Sequence, residues 1–343
     1  MSNPPTRITV AVDAMGGDLA PQAIVAGAVA AAQAQPEIEV LLVGDEAVVT
    51  PCLNALGPVP ANISLQHAAE VIGMCDAPGI AIRQKRNSSI VIGMRLVRDG
   101  RAHAMFSAGN SGAMMAGAML ILKAQPGIDR PAIASFFPSR NGNVILLDAG
   151  ATTDCKPANL VQFAHLGSRY AAAILNRPQP RIGLLSIGEE QTKGDDLTKE
   201  THQLLLAEPL NFHGNVEPKD VLRGDVDVVV CDGFVGNLML KAGEGFCEWL
   251  LETIKAEITR TFWGRVAGAM LRPAFRRLKK RVDYAEYGGA LLLGVNGVVI
   301  ISHGRSNERA AANAIRVAAQ AAERHVGEVA QVECCESMSA AHR

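Results

Sequence analysis

Six short loops hold the residues of this chain that could do chemistry: AMGGD (14–18), AGNSG (108–112), AGATTDCKP (149–157), IGEEQTKGDD (187–196), DGFVGN (232–237) and HGRSN (303–307). Their glycines, Gly16, Gly17, Gly109, Gly112, Gly150, Gly188, Gly233, Gly236 and Gly304, remove Cβ atoms where backbone N–H groups could approach a ligand. Each loop opens into a helix start, whose unpaired amides and dipole favour an anion, most commonly phosphate. One Gly-rich loop is most simply a tight turn, whereas six point to a shared ligand edge. Lys193 and, second to it, Arg305 are the cations that look aimed at that edge. A surface Lys beside carboxylates can equally be a solvated ion pair. His303 and His202 offer imidazoles for base chemistry, although a helix-end or core histidine is the simpler reading of each.

The loops contain neither GxxxxGK[ST] nor a clear GxGxxG nor GxSxG, so a nucleoside triphosphatase, an ordinary dinucleotide fold and a serine hydrolase are not indicated. Seven cysteines (Cys52, Cys75, Cys155, Cys231, Cys247, Cys334, Cys335) form no CxxC pair and no Cys/His spacing suited to zinc. No metal is expected, and a reducing cytosol is the simple reading. Cys231, closing the run VDVVVC, is the nearest candidate for a nucleophilic thiol, and its position reads as core.

The elements that must position these loops repeat one pattern: a short β-rich apolar run, the loop, then an Ala-rich helix. It occurs as RITVAVD-AMGGD-LAPQAIVAGAVAAA, AHAMFS-AGNSG-AMMAGAMLILK and NVILLD-AGATTDCKP-ANLVQFAHLGSRYAAAIL. It returns as RIGLLS-IGEEQTKGDD-LTKETHQLLLA, VDVVVC-DGFVGN-LMLKAGEGFCEWLLETIK and GVVIIS-HGRSN-ERAAANAIRVAAQAAERH. Such alternation predicts a three-layer α/β/α fold with a mostly parallel sheet, and puts all six loops at strand carboxyl ends along one edge. EVLLVGD (39–45) adds a strand, and 77–98 reads as one helix. With no Pro/Ser-rich linker, residues 1–330 read as a single α/β catalytic domain of one or two lobes, and 331–343 as a flexible tail.

Composition is that of an ordinary globular chain, with 48% hydrophobic and 20% charged residues, which excludes bulk disorder. Aromatics are only 4%, so the core must be aliphatic and Ala-rich. Lys+Arg 33 against Asp+Glu 34 offers no global reason to bind nucleic acid. No signal peptide is read at the N-terminus. The uncharged stretches 19–36, 102–122 and 287–304 are interrupted by polar residues, Gly or Pro, and are rejected as membrane spans.

One segment departs from the alternation. Residues 253–283 read as a basic amphipathic helical hairpin, and 258–282 carries eight basic residues (Arg260, Arg265, Arg272, Arg276, Arg277, Lys279, Lys280, Arg281) and no acidic one. Phe262, Val266, Ala269 and Met270 recur at helical spacing, with Trp263 and Leu271 beside them. Pro273 is expected to start a second helix carrying Phe275, Leu278 and Val282. Two readings stand: a hairpin packed on a second copy, or a surface lying on anionic lipid. So many cations favour the lipid, with Phe262, Trp263, Val266, Met270, Leu271 and Phe275 as membrane contacts and the protein held at the inner face of the cytoplasmic membrane.

AVDAMGGDLAP (11–21), APGIAIRQKRNSS (77–89), SAGNSGA (107–113), SIGEEQTKG (186–194), DGFVGN (232–237) and YGGALLLGVNG with HGRSN (287–307) together resemble, in order and spacing, the bacterial phosphate acyltransferases of the PlsX type. The resemblance runs to about residue 327. Ser111 stands where Thr is expected and Ser186 where Asn is usual, and Ala149 and Thr152 alter the block after Asp148. The resemblance implies a fold similar to phosphotransacetylases and, more distantly, to the isocitrate/isopropylmalate dehydrogenases. It implies conversion of acyl-acyl carrier protein and inorganic phosphate to acyl phosphate and free carrier protein, without a cofactor, for phospholipid synthesis. A glycerol-3-phosphate acyltransferase would be the downstream user, and a homodimer the assembly.

That reaction needs position and charge more than acid or base help, because phosphate is already largely ionised and a thiol leaves readily. Amides of Gly16, Gly17 and Asp18, of Gly109, Asn110, Ser111 and Gly112, and of Gly233 to Asn237 suit the phosphate, with His303 and Arg305 nearby. Lys193 and Asn237 are the expected oxyanion stabilisers. Asp13, Glu189 and Asp232 would orient them. A dehydrogenase of the related fold and a non-catalytic carrier-protein or membrane adaptor are the alternatives.

Overall fold

The computed structural model describes residues 7–282 and 288–328. The 331–343 tail, with Cys334 and Cys335, and Tyr287 of the YGG block lie outside the described residues. Among the described residues eleven strands make one sheet. In chain order of numbering, the sheet runs β3 (Ile63–His67), β2 (Ile38–Gly44), β1 (Ile8–Asp13), β4 (Ala104–Ser107), β11 (Val298–Ile301), β10 (Ala290–Leu293), β5 (Ala132–Ser139), β6 (Gly142–Leu147), β9 (Val228–Val230), β7 (Ile182–Leu185), β8 (Phe212–Val216).

The first five strands of that order are mutually parallel, and so are the last four. Between them β10 and β5 each pair antiparallel on both sides. Three reversals make the two parallel runs point in opposite directions, which corrects the expectation that the six loops share one edge. They form two opposed sets. The register nonetheless brings the sets to one level. Ile300 near the end of β11 lies opposite Leu291, and Leu291 opposite Ala134. Ser135 pairs with Leu146, and one further residue sets Leu147, the end of β6, against Ala134. Leu147 is in register with Val230, and Val230 with Leu184. On the other side Ile300 is in register with Phe106, and Phe106 with Val12. The carboxyl ends of β1, β4 and β11 therefore meet those of β6, β9 and β7 head-on across the middle of the sheet.

Both faces of the sheet are covered, and strand alternation explains how. Val10, Val12 and Phe106 point into one cluster with α1 (Gln22–Ala34), α6 (Pro157–Leu175) and α11 (Glu308–Glu323), whereas Ala11 and Met105 point into another with α4 (Ser89–Arg98) and α5 (Ser111–Gly117). The Ala-rich helices allow unusually close approach. A Cβ on Gly27 of α1 would stand 2.6 Å from the Cβ of Ala311 on α11, which is how a chain poor in aromatics still fills its interior. The 77–98 segment is two helices, not one: α3 (Pro78–Gln84) ends before α4, which Ser88 caps through a bond from the Val91 amide.

After α7 (Asp196–Leu206) and α8 (Pro218–Arg223), α9 (Gly233–Thr259) and α10 (Phe262–Val282) form the helical hairpin. Its turn falls at Arg260–Thr261. Pro273 sits inside α10 instead of starting a helix. The carbonyl it leaves unpaired is that of Ala269 on an exposed helix, where water can satisfy it. Trp263 is 77% and Met270 78% exposed, with Phe262, Val266 and Leu271 exposed beside them. Phe275 is half-buried instead, lining with Leu251, Ile258 and Ala269 a groove between the helices that Lys255, Arg265 and Arg272 border. Among the described residues no helix is long and apolar enough to cross a membrane.

Candidate active site

The loop after β1 is tied to those after β4 and β11. Buried Asp13 accepts a bond from the Ser107 hydroxyl at 2.6 Å and from the Met15 amide at 3.1 Å. Burial pushes its carboxyl above the ordinary value, and these donors, with Ser89, work against that shift. Ser107 Oγ in turn accepts the Gly109 amide. A side chain at Gly16 would collide with Asp13 and with the Gly109 amide. The Asp18 amide donates to the Gly304 carbonyl at 2.7 Å. Asn110 caps α5 by accepting from the Ala113 amide, and its Nδ2 donates to the carbonyls of Gly73, Met74 and Asp76. Its side chain thus pins the 73–76 loop, and what it leaves open is the exposed Ser111 at the first turn of α5.

Across the centre, Asp148 is the counterpart of Asp13. Its two oxygens accept from the amides of Ile133, Gly150, Ala151 and Thr152 at 2.7–3.0 Å. On this turn sits the start of α9. A Cβ on Gly233 would come 2.7 Å from Asp148 Oδ2, and one on Gly236 would overlap the Asp148 carbonyl oxygen. Asp232 caps the helix by accepting the Phe234 and Val235 amides at 2.8 and 3.0 Å. The Gly233 amide donates to Thr152 O and that of Gly236 to Asp232 O. The amides of 233–236 are therefore already engaged, which corrects the expectation that this loop cradles phosphate with its backbone. The group this turn presents is the exposed Asn237 side chain, which lies over Gly150: a Cβ there would be 3.5 Å from Asn237 Cγ.

In the loop after β7, Lys193 is exposed and its stem lies over Gly188, where an added Cβ would stand 3.0 Å from Lys193 Cγ. A buried pair holds this loop from beneath. Asn215 donates to the Glu190 carbonyl at 2.9 Å and receives His202 Nδ1 at 2.9 Å. His202 is thus a core histidine, as the simpler reading had it. Glu189 lies 3.8 Å from Lys219, which also meets Glu217, so it faces α8 instead of the other loops.

The two sets meet where α9 passes the loop after β11. Arg305 stands 4.0 Å from Glu248 of α9. His303 accepts the Arg305 amide at Nδ1. Burial holds its imidazole below the ordinary value, Lys241 and Arg305 add to that, and Glu244 and Asp18 oppose it. The structure thus gathers Asp13, Gly16, Gly17, Asp18, Gly109, Asn110, His303, Gly304 and Arg305 in one set, and Asp232, Gly233, Gly236 and Asn237 in the other. Sequence reasoning missed Ser107, Asn215, Lys241 and the part played by Asp148. For Asp148 a signal existed: Asp148-Ala149-Gly150 ends an apolar strand just as Asp13-Ala14-Met15-Gly16 does.

No thiol is placed for nucleophilic work among the described residues of this site. Burial pushes the Cys155 thiol up to about 12 and holds that of Cys231 well above its ordinary value.

Two parallel runs that converge head-on through an antiparallel pair define a class seen in solved structures. The phosphotransacetylase from Streptococcus pyogenes superposes with a TM-score of 0.61 at 19% identity, covering 93% of this chain and 95% of that one. The sequence profile of the fatty acid synthesis protein family matches residues 8–329. The phosphate acyltransferase of Syntrophotalea carbinolica is 48% identical over 94% of this chain and 92% of its own length. That of Moorella thermoacetica is 50% identical over 90% and 91%. The chain belongs to this family, and it is an acyltransferase.

Proposed function

We propose that this protein transfers the acyl group of an acyl-acyl carrier protein to inorganic phosphate, giving acyl phosphate and the carrier's free thiol. The observation that carries the reading is the head-on meeting of two loop sets, one rich in backbone donors and the other presenting Lys193 and Asn237, in a member of a family whose relatives are phosphate acyltransferases. A phosphate oxygen attacks the thioester carbonyl carbon, the carbonyl oxygen becomes an oxyanion, and the C–S bond then breaks with the thiolate leaving. Lys193 and Asn237 donate to the oxyanion. The amides of Gly17, Ser111 and Gly112, with Arg305, hold the phosphate. Asp13 and Asp232 fix the loops that carry these groups, and Glu189 balances Lys219. Purified protein, acyl-acyl carrier protein and phosphate suffice for thiol release. Release that is independent of phosphate, or that needs an added nicotinamide, contradicts the reading.

The hairpin supports a second part of the proposal: reversible attachment to an anionic membrane surface at the inner face of the cytoplasmic membrane, where a glycerol-3-phosphate acyltransferase would take up the poorly soluble product. Exposed Trp263 and Met270, on a hairpin whose 258–282 segment holds eight basic residues, carry it, since each Lys or Arg near such a surface adds about 1 kcal/mol. Flotation with anionic liposomes should retain the wild type and lose Trp263→Glu/Met270→Glu. Equal flotation of both, or of neither, returns the hairpin to the homodimer reading.

A further inference from the structure

We infer that Ile187, Phe234 and Leu238 seat the acyl chain of the substrate beside the reacting carbonyl and set the enzyme's discrimination between long and short chains. This rests on the reading that Lys193 and Asn237 hold that carbonyl. Ile187 is 81% exposed, Phe234 62% and Leu238 60%. A single exposed apolar side chain needs no account, but three gathered at a polar site do.

Their gathering follows from register and packing. Leu184 of β7 pairs with Val230 of β9, so the loop that Ile187 opens and the start of α9 at Gly233 leave neighbouring strand ends at one level. Leu185 packs with Val229, Cys231, Met239 and Leu240. Met239 and Leu240 belong to α9, so the start of that helix covers this end of β7 and β9. Phe234 and Leu238 are one helical turn apart on α9 and bracket Asn237. Ile187 opens the loop that carries Lys193. Each of the two oxyanion donors is thus flanked by an exposed apolar side chain.

The chemistry of the substrate fits this arrangement. In a thioester the carbonyl carbon bears the hydrocarbon chain directly, so a carbonyl oxygen held between Lys193 and Asn237 places the first methylenes against their immediate neighbours. A carrier's polar arm leaves on the sulfur side and has nothing to gain from Ile187, Phe234 and Leu238. Burial of these side chains against the chain is non-directional and grows with the apolar area covered, which rewards a longer chain over a shorter one.

The test compares hexadecanoyl and butanoyl thioesters of the carrier protein in the wild type, Ile187→Asn and Leu238→Gln. Both positions are exposed, so the folded state tolerates the changes, and a thermal midpoint checks this. The ratio of kcat/KM for hexadecanoyl over butanoyl should fall roughly ten- to a hundredfold in each variant. An unchanged ratio overturns the inference while leaving phosphate acyl transfer standing. So does a variant that alters the oligomeric mass but not the ratio, which would make the patch a contact with a second copy. Absence of acyl phosphate from the wild type with both thioesters would instead sink the parent reading, and this one with it.

Discussion

The loops after β1 and β6 begin alike, with an aspartate ending an apolar strand, then Ala and a nearby Gly, yet they use the carboxylate differently. Asp13 is held by hydroxyls, those of Ser107 and Ser89, and by the local amides of Met15 and Gly16. Asp148 is held by four backbone amides from two strands' worth of chain. A hydroxyl can rotate to serve as donor or acceptor, whereas an amide can only donate. The first loop is therefore adjustable and the second a rigid platform, and it is on the platform that the start of α9 rests through Gly233 and Gly236. The half of the molecule that carries the proposed oxyanion donors has the stiffer base.

The largest effect should come from breaking the platform. Gly236→Ala drives a methyl into the Asp148 carbonyl, a backbone group that cannot swing aside, and against Cys231 Sγ beside it. A loss of about 3 kcal/mol is expected in urea unfolding, with α9 displaced. A variant of wild-type stability would show that α9 does not rest on the Asp148 turn.

The contrast itself is sharpened by paired amidation. Asp148→Asn sets an NH2 group against amide donors and should cost roughly 2 to 3 kcal/mol. Asp13→Asn should cost nearer 1 kcal/mol, because Ser107 can turn its lone pair to the new amide. Equal losses would remove the distinction between the loops.

A smaller effect is expected at His303. Its neutral ring accepts the Arg305 amide at Nδ1, and protonation deletes that acceptor. Because burial lowers its pKa, kcat/KM should stay flat from the alkaline side down through the usual imidazole range and fall only below it. In His303→Asn that acid limb should vanish; a limb persisting at the same pH would belong to another group. Least of all should alkylation matter. At neutral pH iodoacetamide should label exposed Cys75, spare Cys155 and Cys231 whose thiols are held protonated, and leave turnover intact.

The strand–loop–helix units were legible because a period of alternation and a Gly-rich loop are local signals. Direction was not. AIASFFPS and ALLL fall outside the repeated units, and nothing in either says that they run antiparallel to their neighbours; those reversals turn one edge into two opposed sets. Nor could the purpose of the glycines be read. What crowds Gly236 is Asp148, and what crowds Gly16 includes Gly109, both distant in sequence. A glycine that admits a ligand and one that admits another loop look the same in a sequence. Glu189 was assigned to the reaction because its loop was, whereas its partner Lys219 belongs to α8.

Lys193 and Asn237, presented from the rigid half, are proposed to stabilise the oxyanion formed when phosphate attacks the thioester. The direct measurement is acyl phosphate formation from acyl-acyl carrier protein and phosphate, trapped with hydroxylamine as the hydroxamate, for the wild type, Lys193→Ala and Asn237→Ala. The wild type should form it, and each variant should be slower by about a hundredfold or more with its unfolding midpoint unchanged. Near-normal rates in both folded variants would contradict the account.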